Sequence, residues 1–192
     1  MFRLRPITLL ILSLTLAASV TVQAKTSMAS GSPTLQPQDA SLDRLVRRVR
    51  HELVTLPYYD VFDWLEGEVR ADGTVVLRGE VVRPSTKSEA EARVKKIEGV
   101  ERVINEIEVL PTSINDDRLR IALYRALFNW DSPLFRYAHR AVPPIHIIVK
   151  NGRVTLKGVV ATEQEKQLAY MKARSVPGIF EVRNELQVEK GE

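Results

Sequence analysis

The side chains that could carry acid–base or metal chemistry are few and poorly spaced for it. The three histidines are His51, His139 and His146. None lies at the close spacing of a zinc site, so we interpret them as isolated structural or surface residues. Asp60, Asp63 and Glu66 form an acidic cluster that could hold a cation or transfer a proton. The interpretation that we favour for this cluster is a solvated loop.

Other catalytic chemistry is disfavoured by composition and motifs. The chain has no cysteine, which removes thiolate nucleophiles, disulfides and cysteine metal sites. It also lacks a G-x-S-x-G nucleophile motif, a phosphate-binding P-loop and a G-x-G-x-x-G dinucleotide motif. We therefore predict a protein that is not an enzyme and has no catalytic residue, cofactor or metal ion.

Basic and apolar side chains are the better candidates, as parts of a binding surface. Arginines cluster on two predicted helices, as Arg44, Arg47 and Arg48 on one and Arg118, Arg120 and Arg125 on the other. Each basic residue close to an anionic bilayer contributes ~1 kcal/mol, so such a cluster predicts weak, salt-sensitive binding to anionic phospholipid. An ordinary solvated helix face explains the arginines equally well. Leu168, Tyr170 and Met171 add apolar surface to a further helix, which suggests contact with a partner or between parts of the chain.

Large aromatic side chains concentrate in two loops. These loops contain Tyr58, Tyr59, Phe62 and Trp64, and Phe128, Trp130, Phe135 and Tyr137. Aromatic residues close to arginine are typical of membrane and protein interfaces. We predict that most of them instead close the open side of a small sheet, because a small module needs its large side chains for its core.

The first 24 residues have the pattern of a secretory signal peptide. Arg3 and Arg5 precede an apolar run over residues 7–20, and Val22-Gln23-Ala24 forms the predicted cleavage site, with the cut after Ala24. The run is shorter than the ~20 apolar residues of a membrane span, and no later stretch is long enough for a transmembrane segment. An exported chain without disulfides indicates the bacterial periplasm.

Charge and composition narrow the possible partners. The chain has 192 residues and a formal net charge of +4. The signal peptide holds two arginines and no acidic residue, so the remainder carries about +2 and has no global field for nucleic acid or lipid. Residues 25–40 are rich in Ser, Thr, Pro and Gln without apolar periodicity, which predicts a flexible linker.

The rest of the chain contains two copies of one sequence pattern. Asp72–Val81 reads DGTVVLRGEV and Asn151–Val160 reads NGRVTLKGVV, which align with a shift of 79 residues. The same shift aligns the closing stretches of the two copies. Upstream, a shift of 74 residues aligns the first predicted helices, so the second copy has five extra residues between helix and strand. We expect copy one at residues 41–111 and copy two at residues 114–190.

Each copy predicts the same order of elements. Leucine and valine at helical spacing predict a first helix, and an Asp-Gly or Asn-Gly dipeptide predicts a two-residue hairpin between two strands. Thr86–Glu89 and Thr162–Glu165 match capping boxes that begin a second helix, which ends at Gly99 or Gly178. A final strand follows. The predicted fold is α+β, with two αββαβ modules, each a three-stranded sheet with two helices packed on one face; the strand order stays open.

The two copies resemble tandem BON domains, a bacterial envelope module named for osmotically inducible and nodulation proteins. The resemblance rests on the V-x-L-x-G-x-V strands at Val75–Val81 and Val154–Val160, and on the closing V-x-N-x-[IL]-x-V at Val103–Val109 and Val182–Val188. It implies an exported, non-enzymatic protein that binds phospholipid surfaces or stabilises envelope assemblies, with a role in osmotic or envelope stress. The long aromatic loops depart from the family pattern.

Two functions follow as hypotheses. The first is a periplasmic protein that binds an anionic phospholipid membrane surface or an envelope protein complex. The alternative is a structural protein–protein adaptor without lipid affinity. Nucleic acid is not an expected partner. The element order is superficially similar to that of KH modules, but the chain lacks the GXXG loop by which KH domains clamp the backbone.

Overall fold

A computed structural model of the chain describes residues 37–140 and 142–189. The predicted signal peptide and residues 25–36 of the predicted linker lie outside the described residues. The first helix begins at Pro37, within the stretch predicted as linker. Over the described ranges, every helix is too short or too polar to cross a membrane.

The described chain forms two αββαβ modules, so the predicted fold class is confirmed. Copy one consists of α1 (Pro37–Val54), β1 (Trp64–Val69), β2 (Thr74–Val81), α2 (Pro84–Val94), β3 (Arg102–Asn105) and β4 (Glu108–Val109). Copy two consists of α3 (Ile114–Leu127), β5 (Ile145–Lys150), β6 (Arg153–Val160), α4 (Glu163–Arg174) and β7 (Glu181–Val188). A short 3-10 helix, Pro133–Tyr137, lies in the longer loop between α3 and β5.

The second strand lies in the middle of each sheet. β1 pairs antiparallel with β2, and β3 and β4 both pair parallel with β2 as two segments of one edge strand. In copy two, β5 pairs antiparallel and β7 pairs parallel with β6. A parallel pair needs a crossover connection, which α2 and α4 supply. The strand order that the sequence left open is therefore β1-β2-β3 and β5-β6-β7.

Each module has an aliphatic core between its sheet and its helices. Alternate residues of the central strands face the helices and are buried: Val75, Leu77 and Val81 in copy one, and Val154, Leu156 and Val160 in copy two. The residues that meet them from the helices include Val49, Leu53, Ala90 and Val94, and Leu123, Leu127, Ala169 and Ala173.

A glycine in each central strand allows the neighbouring strand to approach closely. Gly79 and Gly158 have φ of +126° and +120°, a region that side chains rarely adopt. A Cβ atom at Gly79 would lie 1.9 Å from the carbonyl oxygen of Trp64, and one at Gly158 would lie 2.0 Å from that of Pro144. The glycine of the V-x-L-x-G-x-V motif is thus required by backbone contact in both copies.

The asparagine of the closing motif fastens the edge strand to the second helix. Asn105 donates through Nδ2 to the Lys87 carbonyl at 3.1 Å, and its Oδ1 accepts from the Ile107 amide at 3.2 Å. Asn184 makes the same pair of bonds, to the Lys166 carbonyl and from the Leu186 amide. The accepted bond satisfies an amide of an edge strand, which would otherwise be open to another chain.

The hairpins agree with the prediction in copy two only. Asn151 and Gly152 have φ of +52° and +73°, as a two-residue loop of type I′ requires. In copy one the prediction is wrong, because Arg70 pairs with Thr74 around a three-residue loop and only Gly73 has a positive φ. The Asp72 carboxylate accepts a hydrogen bond from the Thr74 amide at 2.9 Å, which favours the longer loop.

The predicted capping boxes likewise divide between the copies. Thr162 is the N-cap of α4, and its hydroxyl accepts from the Glu165 amide at 3.2 Å. The box predicted in copy one is wrong. Pro84 occupies the first turn of α2 and Arg83 is its N-cap, so Thr86 lies buried inside the helix. The shift of 79 residues aligns Thr86 with Glu165, not with Thr162.

The helix ends also lie earlier than predicted. Gly99 and Gly178 have left-handed φ values of +93° and +87°. The helices, however, end at Val94 and Arg174. Each glycine therefore belongs to the turn that leads from the helix into the final strand, and not to the helix cap itself.

The two modules meet through the loop that precedes β1. We call residues 59–64, which comprise the end of this loop and the first residue of β1, the inserted segment, because they pack against copy two. Val61 packs into the core of copy two, and its carbonyl accepts a hydrogen bond from the Ile147 amide at 2.7 Å. Phe62 packs against the same core, with its ring centroid 6.3 Å from that of Tyr124. Copy one therefore contributes side chains to the core of copy two.

The open faces of the two sheets, away from the helices, complete this module interface. Trp64 and Leu110 of copy one form a small buried cluster with Ile148 of copy two. The Lys157 ammonium lies 3.2 Å from the Glu80 carboxylate. An acidic group of copy one thus meets a basic group of copy two at the border of an apolar contact.

Candidate binding surfaces

The basic cluster of copy one lies on the exposed side of α1. Arg44, Arg47 and Arg48 are exposed and point away from the stripe that faces the core. The Arg48 guanidinium lies 3.7 Å from the carboxylate of Glu98, and both side chains are mostly in solvent. A pair this exposed contributes little to stability. Among the side chains of α1 that the structure describes, no large apolar one is exposed beside this basic surface.

The structure separates the three predicted arginines of copy two. Arg118 and Arg125 are exposed, whereas Arg120 is buried. The Arg120 guanidinium donates to the Val149 carbonyl at 2.8 Å and pairs with Asp117. Arg120 therefore joins α3 to β5 inside the module, and it is not available to a ligand.

The outer face of α3 combines basic and apolar side chains. Ile114 is 73% exposed and Ile121 is 51% exposed. They alternate with Arg118 and Arg125 at spacings of three or four residues, which places all four on one side of the helix. Trp130, 79% exposed, follows shortly after the end of α3. We use "outer face of α3" for these five residues.

The apolar set predicted on α4 is only partly exposed. Leu168 packs against the core of copy two. Tyr170 is half-buried, with the Arg174 guanidinium 5.7 Å from its ring centroid. Met171 is exposed. The α4 patch available to a partner therefore consists of Met171 and one side of Tyr170.

The aromatic residues of the two loops have divided roles. Phe128 and Tyr137 are buried in the core of copy two, as expected for residues that close a small core, whereas Trp64 is buried at the module interface. Tyr58 and Trp130 are exposed. The remaining three, Tyr59, Phe62 and Phe135, are half-buried. Much of the copy one set serves the module interface, a role that was not predicted.

The acidic cluster of the inserted segment and β1 does not form one site. Asp60 and Glu66 accept hydrogen bonds from groups two residues away. The solvated-loop interpretation is wrong for Asp63, which is buried and accepts a hydrogen bond from the Val82 amide at 2.7 Å. Burial raises the pKa of Asp63 to about 6, against the lowering effect of that bond. No three His, Asp or Glu side chains in the described ranges are gathered as metal ligands.

The histidines differ in environment. His51 and His139 are exposed, and the His139 ring lies edge-on to Phe135. His146 is buried at the module interface, between the rings of Tyr59 and Trp64. Sequence reasoning did not find this placement, because it depends on how the two modules pack.

Comparison with known proteins identifies both modules. Residues 44–111 and 126–190 match the BON domain family. No curated protein matches the chain. Among solved structures, the chain is similar to CdsD, a structural protein of the type III secretion system of Chlamydia trachomatis. That likeness has 13% identity and a TM-score of 0.31, over 78% of this chain and 94% of the other. The chain is also similar to the C-terminal domain of CdsD, with 12% identity and a TM-score of 0.29, over 76% of this chain and 98% of the other.

Proposed function

Because the chain belongs to the BON-domain family and carries two copies of the domain, we propose that it is a non-enzymatic periplasmic protein that binds anionic phospholipid surfaces of the bacterial envelope. BON-domain proteins are envelope-associated and in general not enzymes, which supports the coarse part of the assignment. The choice of lipid as ligand rests on the outer face of α3.

That face has the composition of a helix that lies in a membrane interface. Ile114 and Ile121 are exposed although α3 already has a buried stripe on its other side. Arg118 and Arg125 flank them, and Trp130, which follows the end of α3 in the chain, is also exposed. Exposed aliphatic groups enter the acyl boundary, arginines contact anionic headgroups, and tryptophan is favoured between the two.

The basic surface of α1 adds charge but no apolar anchor. Arg44, Arg47 and Arg48 attract an anionic surface over a Debye length of about 8–10 Å. Copy one is therefore expected to contribute a purely electrostatic, salt-sensitive attraction. Copy two is expected to supply the part of the affinity that survives salt. Osmotic or envelope stress is the setting in which we propose that this binding acts.

Co-sedimentation with vesicles tests the proposal. The intact chain should bind vesicles that contain phosphatidylglycerol at low salt, bind them several-fold more weakly at high salt, and ignore pure phosphatidylcholine. The variant Ile121→Ser with Trp130→Ser should lose the salt-resistant part of the binding. Ala92→Ser on the exposed side of α2 provides a surface substitution outside the proposed contact. A chain that ignores anionic vesicles at low salt would refute the lipid assignment.

A protein adaptor is the second candidate, and the α4 patch is the observation that favours it. Met171 is 60% exposed beside the half-buried Tyr170. Methionine and tyrosine are common anchors of protein interfaces. Cross-linking from a photo-reactive residue at position 171 should then give one discrete product in envelope fractions. Only scattered, low-yield products from that position would count against an adaptor surface on α4.

A further inference from the structure

A buried histidine lies between the two modules at their interface. His146 lies on β5, on the sheet face away from α3 and α4, and is 3% exposed. Its ring centroid lies 5.0 Å from that of Trp64 and 5.5 Å from that of Tyr59, both contributed by copy one. Separation of the modules would remove these two rings and expose the imidazole to water.

The pocket around the ring suits a neutral imidazole. Nδ1 of His146 is buried and has no hydrogen-bond partner among the described residues. The ionisable groups on the inserted segment and the strands around it include Tyr59, Asp60, Asp63, Glu66, Glu80 and Lys157. The four carboxylates accept hydrogen bonds from other groups: the Phe62 amide, the Val82 amide, the Trp64 indole and the Lys157 ammonium. Lys157 is also the cross-strand neighbour of His146, so a second positive charge there is disfavoured.

We propose that His146 is a pH-sensitive latch: its protonation under mildly acidic conditions releases the inserted segment from copy two while both modules stay folded. The bond between the Val61 carbonyl and the Ile147 amide then breaks, and the rings of Tyr59 and Trp64 become accessible. This inference does not depend on lipid binding.

The direction follows from the preference of the closed state for the neutral ring. Burial lowers the pKa of His146 from 6.5 to about 4, and backbone carbonyls of Asp63 and Asp60 oppose the effect only in part. The contribution of His146 to closure is therefore complete above pH 6.5 and is lost progressively as the pH falls towards 4. If the open state restores the ordinary pKa, the ratio of open to closed molecules rises roughly 20-fold between pH 7 and pH 5.

Asp63 titrates in the same range with the opposite sign. Its pKa is raised to about 6, so it takes up a proton in the folded chain as the pH falls and then stabilises the fold. Its hydrogen bond to the Val82 amide lies within copy one. The variant Asp63→Asn keeps an acceptor for that amide but does not titrate. It therefore allows the pH effect of His146 to be measured without the opposing effect of Asp63.

Hydrogen exchange measured by NMR on the intact chain tests the latch directly. The Ile147 amide donates across the interface, whereas the Glu106 amide donates to Leu77 at 2.8 Å within copy one. After correction for intrinsic exchange, protection of Ile147 should fall roughly 20-fold from pH 7 to pH 5. Protection of Glu106 should not fall, because protonation of Asp63 stabilises copy one over the same range, and in His146→Gln the fall at Ile147 should disappear.

Three outcomes would overturn the proposal. They are unchanged protection at Ile147, an equal loss at Ile147 and Glu106, and the same fall in His146→Gln. A direct titration of the imidazole carbons in the wild-type chain keeps the test decisive even if the variant does not fold. The latch requires a midpoint well below 6.5, and a ring that titrates at its ordinary pKa would exclude it.

Discussion

The two modules satisfy the same backbone amide in different ways. In copy one, the amide of Val82, just after the central strand, donates to the buried carboxylate of Asp63. In copy two the equivalent amide, of Ala161, donates to the Tyr137 hydroxyl and the Glu165 carboxylate. Asp63 comes from the inserted segment, and Tyr137 comes from the 3-10 helix, which among the described residues only copy two has. The repeat determines the position of this amide, whereas the side chains that accept its hydrogen bond differ between the two copies.

The first helices differ in the same sense. In copy two, Asp116 accepts hydrogen bonds from the hairpin amides of Asn151 and Gly152, and Arg120 reaches β5. The shift of 74 residues places Leu42 and Val46 at the equivalent positions of α1, and neither side chain can make such bonds. Hydrogen bonds therefore add to the apolar contacts that hold α3 to its sheet, whereas α1 is held by apolar contacts. Four predictions test how far the two modules are alike.

The largest effect is expected where the modules are alike. Gly79→Ala and Gly158→Ala each place a Cβ atom on a backbone carbonyl oxygen, about 2 Å away. Each should destabilise its own module by more than about 3 kcal/mol, since neither the carbonyl nor the positive φ can relax without a change in pairing. Urea unfolding monitored by circular dichroism measures the loss. A mild effect in one copy would show that the close strand approach is not shared.

A large effect confined to copy two is expected from the hydrogen bonds that hold α3 to its sheet. Asp116→Ala leaves the amides of Asn151 and Gly152, each now bonded at 2.8 Å, without a partner. We expect a loss of about 2–4 kcal/mol in the free energy of unfolding. Asp116→Asn, which retains one acceptor, should lose less. Leu42→Ala in copy one is the matched control; if it proves equally damaging, the two helices are held alike.

A pH-dependent effect on the free energy of unfolding is expected from Asp63 of copy one. The raised pKa of Asp63, about 6, means that its stabilisation is greatest at low pH and falls as the pH rises from 3.8 through 6. Asp63→Asn should therefore be more stable than the wild type at pH 7.5, by about 2–3 kcal/mol, with a smaller gain at pH 4.5. Unfolding by urea at the two pH values gives both differences. A gain that is independent of pH would mean that the fold does not raise the pKa of Asp63.

The smallest effect is expected on lipid binding, and it should differ between the arginines of α1 and those of α3. Arg44→Gln with Arg47→Gln should remove about 1 kcal/mol per arginine from binding to anionic vesicles at low salt, and almost nothing at high salt. Arg118→Gln with Arg125→Gln should weaken binding at both salt concentrations, because these arginines flank exposed isoleucines. Equal salt dependence of the two variants would remove the distinction between a basic surface and an interfacial one.

Sequence reasoning reached the fold because the signals for it are local and occur twice. The glycine of the central strand and the closing asparagine each meet a backbone group of their own module, so the repeat carries them. The box at Thr86 was misplaced because Pro84 begins the helix earlier. The surface that we propose for lipid binding was predicted less completely. Arg120 is buried by contacts with a distant strand, and a helical projection of α3 could have found Ile121 beside Arg125.

The placement of Val61 makes the dependence between the two main hydrophobic cores one-way. Among the described residues, the core of copy one draws only on residues 45–109, whereas the core of copy two includes Val61. During vectorial synthesis, the first module can complete its core before the second has emerged. The second module gains Val61 in its core only when the inserted segment of the first is in place. A copy two that is transferred to another gene without the inserted segment would lack Val61 in its core, so the unit that completes this core is larger than the repeat.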